Sequence, residues 1–256
     1  MTLDLHDQAR GRKVPVCLYP ARGPLVLFSP GYGGACNGYA YLARDWAEQG
    51  MAVAVVEHVG SNHEALARLK SEVGRDFAAR IEHLVEQDHQ EFRHRVEDLR
   101  FARGQLLALH PELAGAPVGL AGHSYGSATV AALAAQEGCE GLLLMSPPFP
   151  GSLSDEALVA LQAPTLMLTG TRDHSLTATR TYEQRLEIFP RLRARPRYLA
   201  VFEEAEHLTF AGLGMRLERW LPSIARLTRR FWMNCLQGRE DLTPEDLDVI
   251  SRWEAA

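Results

Sequence analysis

Residues 117–136 read PVGLAGHSYGSATVAALAAQ, and this stretch determines how the rest of the chain is interpreted. An apolar run typical of a buried strand leads into GHSYG at 122–126, and an alanine-rich run typical of a helix follows. In that strand–turn–helix context, G-x-S-x-G holds a serine at the tip of a sharp turn. Glycine is favoured at Gly122 and Gly126 because a side chain there would collide with neighbouring backbone. The pattern predicts Ser124 as a nucleophile; a chance glycine-rich turn with a capping serine is the alternative.

The composition is typical of a globular protein. The chain has 256 residues, of which 46% are hydrophobic and 23% are charged. A chain of this length buries roughly three quarters of its unfolded surface, so it needs no disulfide or metal to hold its core. The net charge of −5 gives no reason to expect nucleic acid as a partner. No run approaches the ~20 apolar residues of a membrane span, so we expect none.

Cysteine usage and the N-terminal sequence bear on the compartment. The N-terminal sequence MTLDLHDQARGRK lacks the apolar region of a secretory signal. The cysteines, Cys17, Cys36, Cys139 and Cys235, are scattered and form no CxxC motif. We therefore interpret them as reduced thiols of a cytoplasmic protein. A mature chain from which a signal had been removed would have the same appearance.

Predicted strands alternate with predicted helices on both sides of the GHSYG turn. Apolar runs predict strands at 14–19, 25–29, 51–56, 117–121, 141–146, 164–169 and 197–202. Amphipathic spacing and helix end signals predict helices at 37–49, 127–136, 154–160, 177–188, 215–236 and 244–253. We therefore expect one α/β domain over 1–256, with a mostly parallel sheet covered by helices on both faces.

An unusual helical segment follows the strand predicted at 51–56. Between His63 and Leu109, apolar residues recur mostly three and four positions apart, which predicts a helix or a helix pair. The second half of this segment serves as the crossover to the next strand. The first half, about 62–90, is an insertion. Periodicity leaves open whether this insertion caps the site or packs on the flank of the sheet.

Three chemically reactive side chains come directly after predicted strands: Ser124, Asp173 and His207. Groups at the carboxyl ends of parallel strands meet at one edge of the sheet. A serine hydroxyl needs a base to take its proton; imidazole suits that role, and a carboxylate fixes the imidazole tautomer. We therefore predict these three residues as catalytic, in the chain order of a nucleophile-elbow hydrolase. Asp155 and Glu203 are reserve candidates for the acid.

Two backbone N–H groups are candidates for an oxyanion hole. The N–H of Tyr125 is among the first of the predicted helix, where it has no intrahelical partner and the helix dipole favours negative charge. Tyr32 would supply the second N–H from the glycine-rich sequence SPGYGG at 29–34; an ordinary turn after a buried strand is the alternative. We interpret His123 as a packing and hydrogen-bonding residue beside the turn rather than as a catalyst.

Several segments of the chain resemble one superfamily. They are RKVPVCLYP, LVLFSPGYGG, HVGSN, RVEDLRFARGQL, GHSYG, LTGTRDH and EEAEHLTF, and they span residues 12 to about 210. The chain resembles the α/β-hydrolase superfamily. Within it, the chain is similar to the serine esterases related to dienelactone hydrolases, platelet-activating-factor acetylhydrolases and cutinase-like polyester hydrolases. The resemblance implies an α/β-hydrolase fold with a helical insertion after the strand at 51–56.

The resemblance also implies a role for each candidate residue. It implies a nucleophile at Ser124, an acid at Asp173, a base at His207 and oxyanion-hole N–H groups at Tyr32 and Tyr125. Two features depart from the family pattern. Dienelactone hydrolases use a cysteine nucleophile where this chain has a serine, which argues against that substrate. In the acetylhydrolases the acid follows the preceding strand, where this chain has Pro147 and Pro148 and offers only Asp155.

The predicted function is that of a serine carboxylester hydrolase acting through an acyl-enzyme on esters of small or medium apolar acyl groups. The residues expected to line the acyl site are Tyr39, Phe149, Leu176, Leu208 and Phe210. We expect no cofactor. We also expect no metal, because His58 and His63 lack a third ligand.

Two other interpretations remain open. A thioesterase or acyltransferase would use the same three side chains, and would differ in the leaving group and in the access of water to the acyl-enzyme. A non-catalytic binding protein could have the same fold, because fold does not dictate function. The expected partner is a small-molecule ester or thioester, and the sequence does not indicate an oligomeric state.

Overall fold

A large β-sheet forms the centre of the protein. The computed structural model describes residues 1–149, 155–238, 242–243 and 248–256, apart from the side chains of Asp155 and Gln237. The strands of these residues are β1 (Thr2–Asp7), β2 (Arg12–Tyr19), β3 (Leu25–Ser29), β4 (Ala52–Val56), β5 (Val118–His123), β6 (Gly141–Met145), β7 (Thr165–Arg172), β8 (Arg197–Glu206) and β9 (Ile250–Ala255). The α-helices are α1 (Ala40–Glu48), α2 (His63–Val73), α3 (Phe77–Gln87), α4 (His89–Leu109), α5 (Tyr125–Glu137), α6 (Asp155–Ala160), α7 (Tyr182–Leu186) and α8 (Leu221–Gln237).

The strand order is β1-β2-β4-β3-β5-β6-β7-β8-β9. Parallel pairings join β4, β3, β5, β6, β7 and β8, while the strands at the two edges pair antiparallel. Every residue of β3, β4, β5 and β6 is buried, which explains why these strands have continuous apolar sequences. The prediction of a mostly parallel sheet flanked by helices is confirmed.

Helices cover both faces of the sheet. On one face, Leu99 of α4 and Val130 of α5 belong to one buried hydrophobic cluster. On the other face, Trp46 of α1 and Trp232 of α8 meet edge to face with ring centroids 5.7 Å apart. The indole N–H of Trp46 donates to the Thr228 hydroxyl at 3.1 Å, so this large side chain is buried without an unpaired donor. None of the helices in the described part of the chain is long and apolar enough to cross a membrane.

The insertion after β4 folds as two helices, α2 and α3, which are joined by a short 3-10 turn. The side chain of Asn62 caps α2 by accepting a hydrogen bond from the N–H of Ala65 at 3.1 Å. The side chain of Asp88 caps α4 by accepting from the N–H of Glu91 at 2.9 Å. These caps explain why the insertion and the crossover form separate helices rather than one long one.

The two edges of the sheet differ from the sequence-based expectation. The prediction omits β1, although Leu3 and Leu5 alternate with polar residues as in a half-buried strand. The helix predicted over 244–253 is wrong where the structure describes it, because Ile250–Ala255 form β9; residues 244–247 lie outside the described part. Trp253 of β9 stacks on Tyr198 of β8 with centroids 5.7 Å apart, so docking on the sheet edge prevails over local helix signals.

Two helices are shorter than predicted. The segment predicted as a helix over 177–188 is helical only at Tyr182–Leu186, because the residues before α7 form a loop. The helix predicted from 215 begins at Leu221, after a 3-10 turn at Leu217–Arg219. The loop before α7 is important for the site, because it lies at the carboxyl end of β7.

Candidate active site

Ser124 lies at a strained turn between β5 and α5. Its backbone has φ 53° and ψ −124°, a combination that non-glycine residues rarely adopt. A Cβ on Gly122 would lie 2.3 Å from the carbonyl oxygen of Gly126, and a Cβ on Gly126 would lie 1.9 Å from that of Ser29. Because no side chain fits in either place, both glycines are needed. The turn therefore has the geometry of a nucleophile elbow.

The structure brings Ser124, Asp173 and His207 together, as their positions after β5, β7 and β8 predict. Nε2 of His207 lies 2.9 Å from Oγ of Ser124. Nδ1 of His207 lies 2.8 Å from Oδ1 of Asp173. In this arrangement the serine hydroxyl donates to Nε2 and the Nδ1–H donates to the carboxylate. The imidazole thus has its acceptor nitrogen directed at the serine, which is the tautomer that a general base requires.

Asp173 is fully buried and is surrounded by hydrogen-bond donors. Its Oδ2 accepts from the hydroxyl of Thr169 at 2.7 Å, and its Oδ1 lies 3.1 Å from Nη2 of Arg185. Burial alone would raise the pKa of this carboxyl, but Arg185 and His207 lower that pKa below its ordinary value. Arg185 is itself buried and also donates to the carbonyl of Pro147. Asp173 therefore stays ionised beside the imidazole at neutral pH.

The loop after β3 lies directly against the serine. A Cβ on Gly31 would be only 3.3 Å from Cβ of Ser124. In the described part of the chain, neither the N–H of Tyr32 nor that of Tyr125 has a hydrogen-bond acceptor. The N–H groups of Tyr125, the residue after Ser124, and of Tyr32, the residue after Gly31, are therefore free to bind an oxygen atom of a ligand.

A second histidine connects this loop with the turn that carries His207. Nε2–H of His123 donates to the carbonyl of His207 at 3.0 Å, and Nδ1 accepts from the hydroxyl of Tyr39 at 2.8 Å. The Tyr39 oxygen in turn accepts from the N–H of Gly31 at 3.2 Å. Burial and the nearby His207 lower the pKa of His123 to about 3, so its imidazole is neutral. The neutral ring can therefore donate at one nitrogen while it accepts at the other.

A cleft with about 430 Å³ of empty space, which includes open solvent at its mouth, lies beside Ser124 and His207. Its other lining residues are Ile81, Glu82, Val85, Glu86, Pro148, Phe149, His174, Ser175, Leu176, Arg180 and Arg185. The α3 helix supplies the first four of these, so part of the insertion forms one wall of the cleft. Periodicity leaves open a cap over the site or packing on the flank; α3 lies against the cleft, whereas no residue of α2 is among the lining residues.

The expected acyl-site residues fall into two groups. Phe149 and Leu176 line the cleft, as expected. Tyr39 and Phe210 do not, because both are buried in the core: Tyr39 holds His123, and Phe210 packs on Phe202 with ring centroids 5.9 Å apart. Leu208 is 47% exposed but is not among the lining residues. For Tyr39, Phe210 and Leu208, a position near the site in the sequence therefore does not predict that the side chain lines the cleft.

Polar contacts join α3 to the loop before α7 across the mouth of the cleft. The carboxylate of Glu82 accepts from the backbone N–H of Thr177 at 2.9 Å and from the hydroxyl of Thr177 at 2.8 Å. Glu86 forms an ion pair with Arg180, whose guanidinium lies 4.4 Å from the ring centroid of Phe149. The sequence gives no sign of these contacts, because charged positions on an amphipathic helix are expected to face water.

The reserve candidates for the acid are Asp155 and Glu203. The side chain of Asp155 lies outside the described residues, and Asp173 occupies the position beside the imidazole. The carbonyl of Glu203 accepts from the indole N–H of Trp220 at 2.8 Å. Among the side chains that the structure describes, no three His, Cys, Asp or Glu are grouped so that they could hold a metal ion.

Comparisons with known proteins agree with this architecture. Residues 20–159, more than half of the chain, match the sequence profile of the family described as "Serine aminopeptidase, S33". The structure is similar to that of a dienelactone hydrolase from Anabaena variabilis ATCC 29413, with a TM-score of 0.64 and 18% sequence identity. The similarity covers 92% of this chain and 98% of that one, and at this identity it shows a shared fold. No protein of curated function matches the sequence significantly. The chain therefore belongs to the serine aminopeptidase S33 family, and it is a hydrolase of the α/β-hydrolase superfamily that the sequence motifs predict.

Proposed function

We propose that the protein is a serine carboxylester hydrolase that acts on esters of small or medium apolar acyl groups through an acyl-enzyme. The observation that carries the proposal is the contact of His207 Nε2 with Ser124 Oγ at 2.9 Å, with Nδ1 held by a buried carboxylate. That contact allows a serine hydroxyl to lose its proton as it attacks a carbonyl.

In the first half of the proposed reaction, Ser124 Oγ attacks the ester carbonyl carbon while His207 takes the hydroxyl proton. The carbonyl oxygen becomes an oxyanion and accepts hydrogen bonds from the N–H groups of Tyr32 and Tyr125. The imidazolium then gives its proton to the leaving alkoxide, and the C–O bond breaks. Asp173 stabilises the imidazolium and keeps its ring oriented.

In the second half, water takes the place of the alcohol. His207 removes a proton from this water as it attacks the acyl carbonyl, and the same N–H groups stabilise the second oxyanion. The proton returns to Ser124 Oγ as the acid is released. One imidazole therefore serves both halves of the reaction, and no cofactor is required.

The walls of the cleft support an apolar acyl group. Ile81, Val85, Phe149 and Leu176 line the cleft with aliphatic or aromatic side chains. The cleft is small and partly open to solvent, which favours a short or medium acyl chain. The charged side chains at the mouth, Glu86 and Arg180, are paired with each other.

Aminopeptidase activity is the second candidate, because the matching family carries that description. The specific observation in its favour is that two carboxylates, Glu82 and Glu86, line the cleft and could bind a substrate ammonium group. Both are already engaged, however, with Thr177 and Arg180. An amino group would have to displace those partners, so we prefer the ester.

A substrate panel tests the proposal. We expect p-nitrophenyl esters from acetyl to octanoyl to be hydrolysed, with matched thioesters slower and aminoacyl p-nitroanilides unchanged. The Ser124→Ala variant provides the control for non-enzymatic hydrolysis. Faster turnover of thioesters would indicate a thioesterase, and cleavage of the anilides would indicate an aminopeptidase. No serine-dependent turnover of any of the three would indicate a binding protein on the hydrolase fold.

A further inference from the structure

The helix α4 has charged residues on its buried side. Glu91, Arg95 and Asp98 are spaced four and three residues apart, so they share one helix face, and all three are buried. Arg95 is only 1% exposed. A helix normally directs its charges to water, because an ion buried in a protein is costly unless it is hydrogen-bonded or paired. The proposed reaction assigns no role to this face of α4.

Arg95 contacts the loop that carries Tyr32. Its Nη2 donates to the carbonyl of Pro30 at 2.5 Å and to the hydroxyl oxygen of Ser29 at 3.1 Å. Its Nη1 donates to Oγ of Ser61 at 2.6 Å. The backbone of Ser61 holds the same loop from the other end, because its carbonyl accepts from the N–H of the residue after Tyr32 at 2.7 Å. The guanidinium therefore holds the loop directly before Tyr32 and reaches the position after Tyr32 through Ser61.

Arg95 also contacts the beginning of α5, where the second N–H lies. Its guanidinium carbon is 4.5 Å from the ring centroid of Tyr125. Its Nε donates to Oγ1 of Thr129 at 3.0 Å, and the Thr129 hydroxyl donates to the carbonyl of Tyr125 at 2.9 Å. One buried side chain thus contacts both of the segments that present free N–H groups to the site.

The charge of Arg95 is balanced at a distance rather than by a direct ion pair. In the described part of the chain, Glu91 and Asp98 form ion pairs with Arg12 rather than with Arg95. Arg95 reaches Glu91 only through Ser61, whose hydroxyl donates to that carboxylate at 3.1 Å. Burial lowers the pKa of Arg95 to about 10, so the guanidinium remains charged at neutral pH.

Arg95 is also linked to Asp98 through Ser29 and His58, and these three linked residues form a second Ser–His–Asp arrangement. The Ser29 hydroxyl lies 2.9 Å from Nε2 of His58, and Nδ1 of His58 lies 3.1 Å from Oδ2 of Asp98. Ser29 is fully buried and does not line the cleft beside Ser124. This arrangement therefore connects the guanidinium to a carboxylate and does not form a second nucleophile.

We propose that Arg95 is the positioning residue of the oxyanion hole. It contacts both the loop of Tyr32 and the first turn of α5, and it thereby fixes the positions of these two segments relative to each other. Its buried positive charge also favours the oxyanion over the neutral carbonyl. The inference rests on the proposed function, because it assigns a role within that reaction. Arg95 acts on the reacting atoms only through Tyr32 and Tyr125.

The test compares Arg95→Met with wild type on the best ester of the panel. A displaced donor weakens binding of the transition state more than binding of the substrate, so we expect kcat to fall about 100-fold with KM almost unchanged. A trifluoromethyl ketone forms a hemiketal oxyanion on the serine, and its affinity should fall by the same factor. A purely structural role would lower the Tm but leave kcat and ketone affinity of the folded protein unchanged.

Arg12→Met is the matched control, because Arg12 binds Glu91 and Asp98 of the same network. It should lower the Tm and leave ketone affinity within a few-fold of wild type. Should Arg95→Met not fold, Arg95→Lys replaces it: one ammonium cannot reach Pro30, Ser61 and Thr129 together, so ketone affinity should still fall.

Two results overturn the assignment of Arg95 alone: ketone affinity as in wild type in the Arg95 variant, or an equal loss in Arg12→Met. A different result refutes the proposed function itself, and the role of Arg95 with it, namely the failure of wild-type protein to form an adduct with the ketone at Ser124. Wild-type binding therefore separates the two outcomes.

Discussion

We predict that two buried histidines make the fold sensitive to mild acid. His58 and His123 are both buried, and burial lowers the pKa of each to about 3. Both are therefore neutral in the folded protein, whereas in the unfolded chain each has an ordinary pKa of about 6.5. Below that value the unfolded state binds protons that the folded state does not, so stability is lost as the pH falls from about 6.5 toward 3.

The magnitude follows from the difference in proton affinity. At pH 5, about 1.5 units below the pKa of a histidine in the unfolded chain, each histidine lowers the free energy of unfolding by about 2 kcal/mol. The two together lower it by about 4 kcal/mol. That loss is a large part of the stability of an ordinary domain, which is about 5–15 kcal/mol. In the folded protein His123 stays neutral until the pH approaches 3, so its contact with the Tyr39 hydroxyl should persist at pH 5 in the molecules that remain folded.

Urea unfolding followed by tryptophan fluorescence at about pH 7.5, 6 and 5 measures the effect. Two variants remove one titrating imidazole each. In His58→Asn the amide N–H replaces Nδ1 as the donor to Asp98. In His123→Gln the amide N–H replaces Nε2 as the donor to the His207 carbonyl. Each variant should lose about 2 kcal/mol less than wild type between pH 7.5 and 5. His83→Gln, on the exposed side of α3, is the control and should behave as wild type. Equal acid sensitivity in wild type and in both variants would refute the reasoning.

Two further predictions concern the site. Asp173→Asn should lower kcat about 10⁴-fold, because an amide does not hold the imidazole in the required tautomer, and steady-state ester hydrolysis measures this. It should also lower the free energy of unfolding by about 3–5 kcal/mol, because Arg185 loses its buried partner; activity within ten-fold of wild type would contradict the assignment. Glu82→Ala removes the carboxylate that binds Thr177, so the cleft should widen and the preferred acyl chain should lengthen in the ester panel. Glu64→Ala, on the exposed side of α2, is the control. An unchanged chain-length profile in Glu82→Ala would contradict the prediction that the contact of Glu82 with Thr177 limits the cleft.

The sequence predicts the central part of the site because strong local constraints act there. Ser124 lies in a turn that tolerates only glycine at positions 122 and 126, and the strands around it are continuous apolar runs. Asp173 and His207 follow two further parallel strands, so topology alone brings them to the same edge of the sheet. The closeness of Asp173 and His207 to Ser124 therefore follows from the fold, and no local sequence signal is needed to predict it.

The rest of the site depends on contacts that have no local signal. Arg95 and Arg185 are charged residues of helices, and periodicity places such residues at the surface, yet both are buried against loop carbonyls. Phe210 follows His207 by three residues, but its side chain packs into the core. β9 forms because Trp253 docks on a neighbouring strand, which is a tertiary effect. Residues of this kind become predictable only once the neighbouring elements are in place.

The central claim is that His207 activates Ser124 for attack on a carbonyl. Intact-mass analysis after brief exposure to a fluorophosphonate tests it most directly, with peptide mapping to locate the adduct. We expect one adduct per folded chain, located on Ser124, absent in Ser124→Ala and formed at least about 100-fold more slowly in His207→Gln. Folded wild-type protein that forms no adduct, or that is labelled equally fast without the imidazole, would contradict the claim.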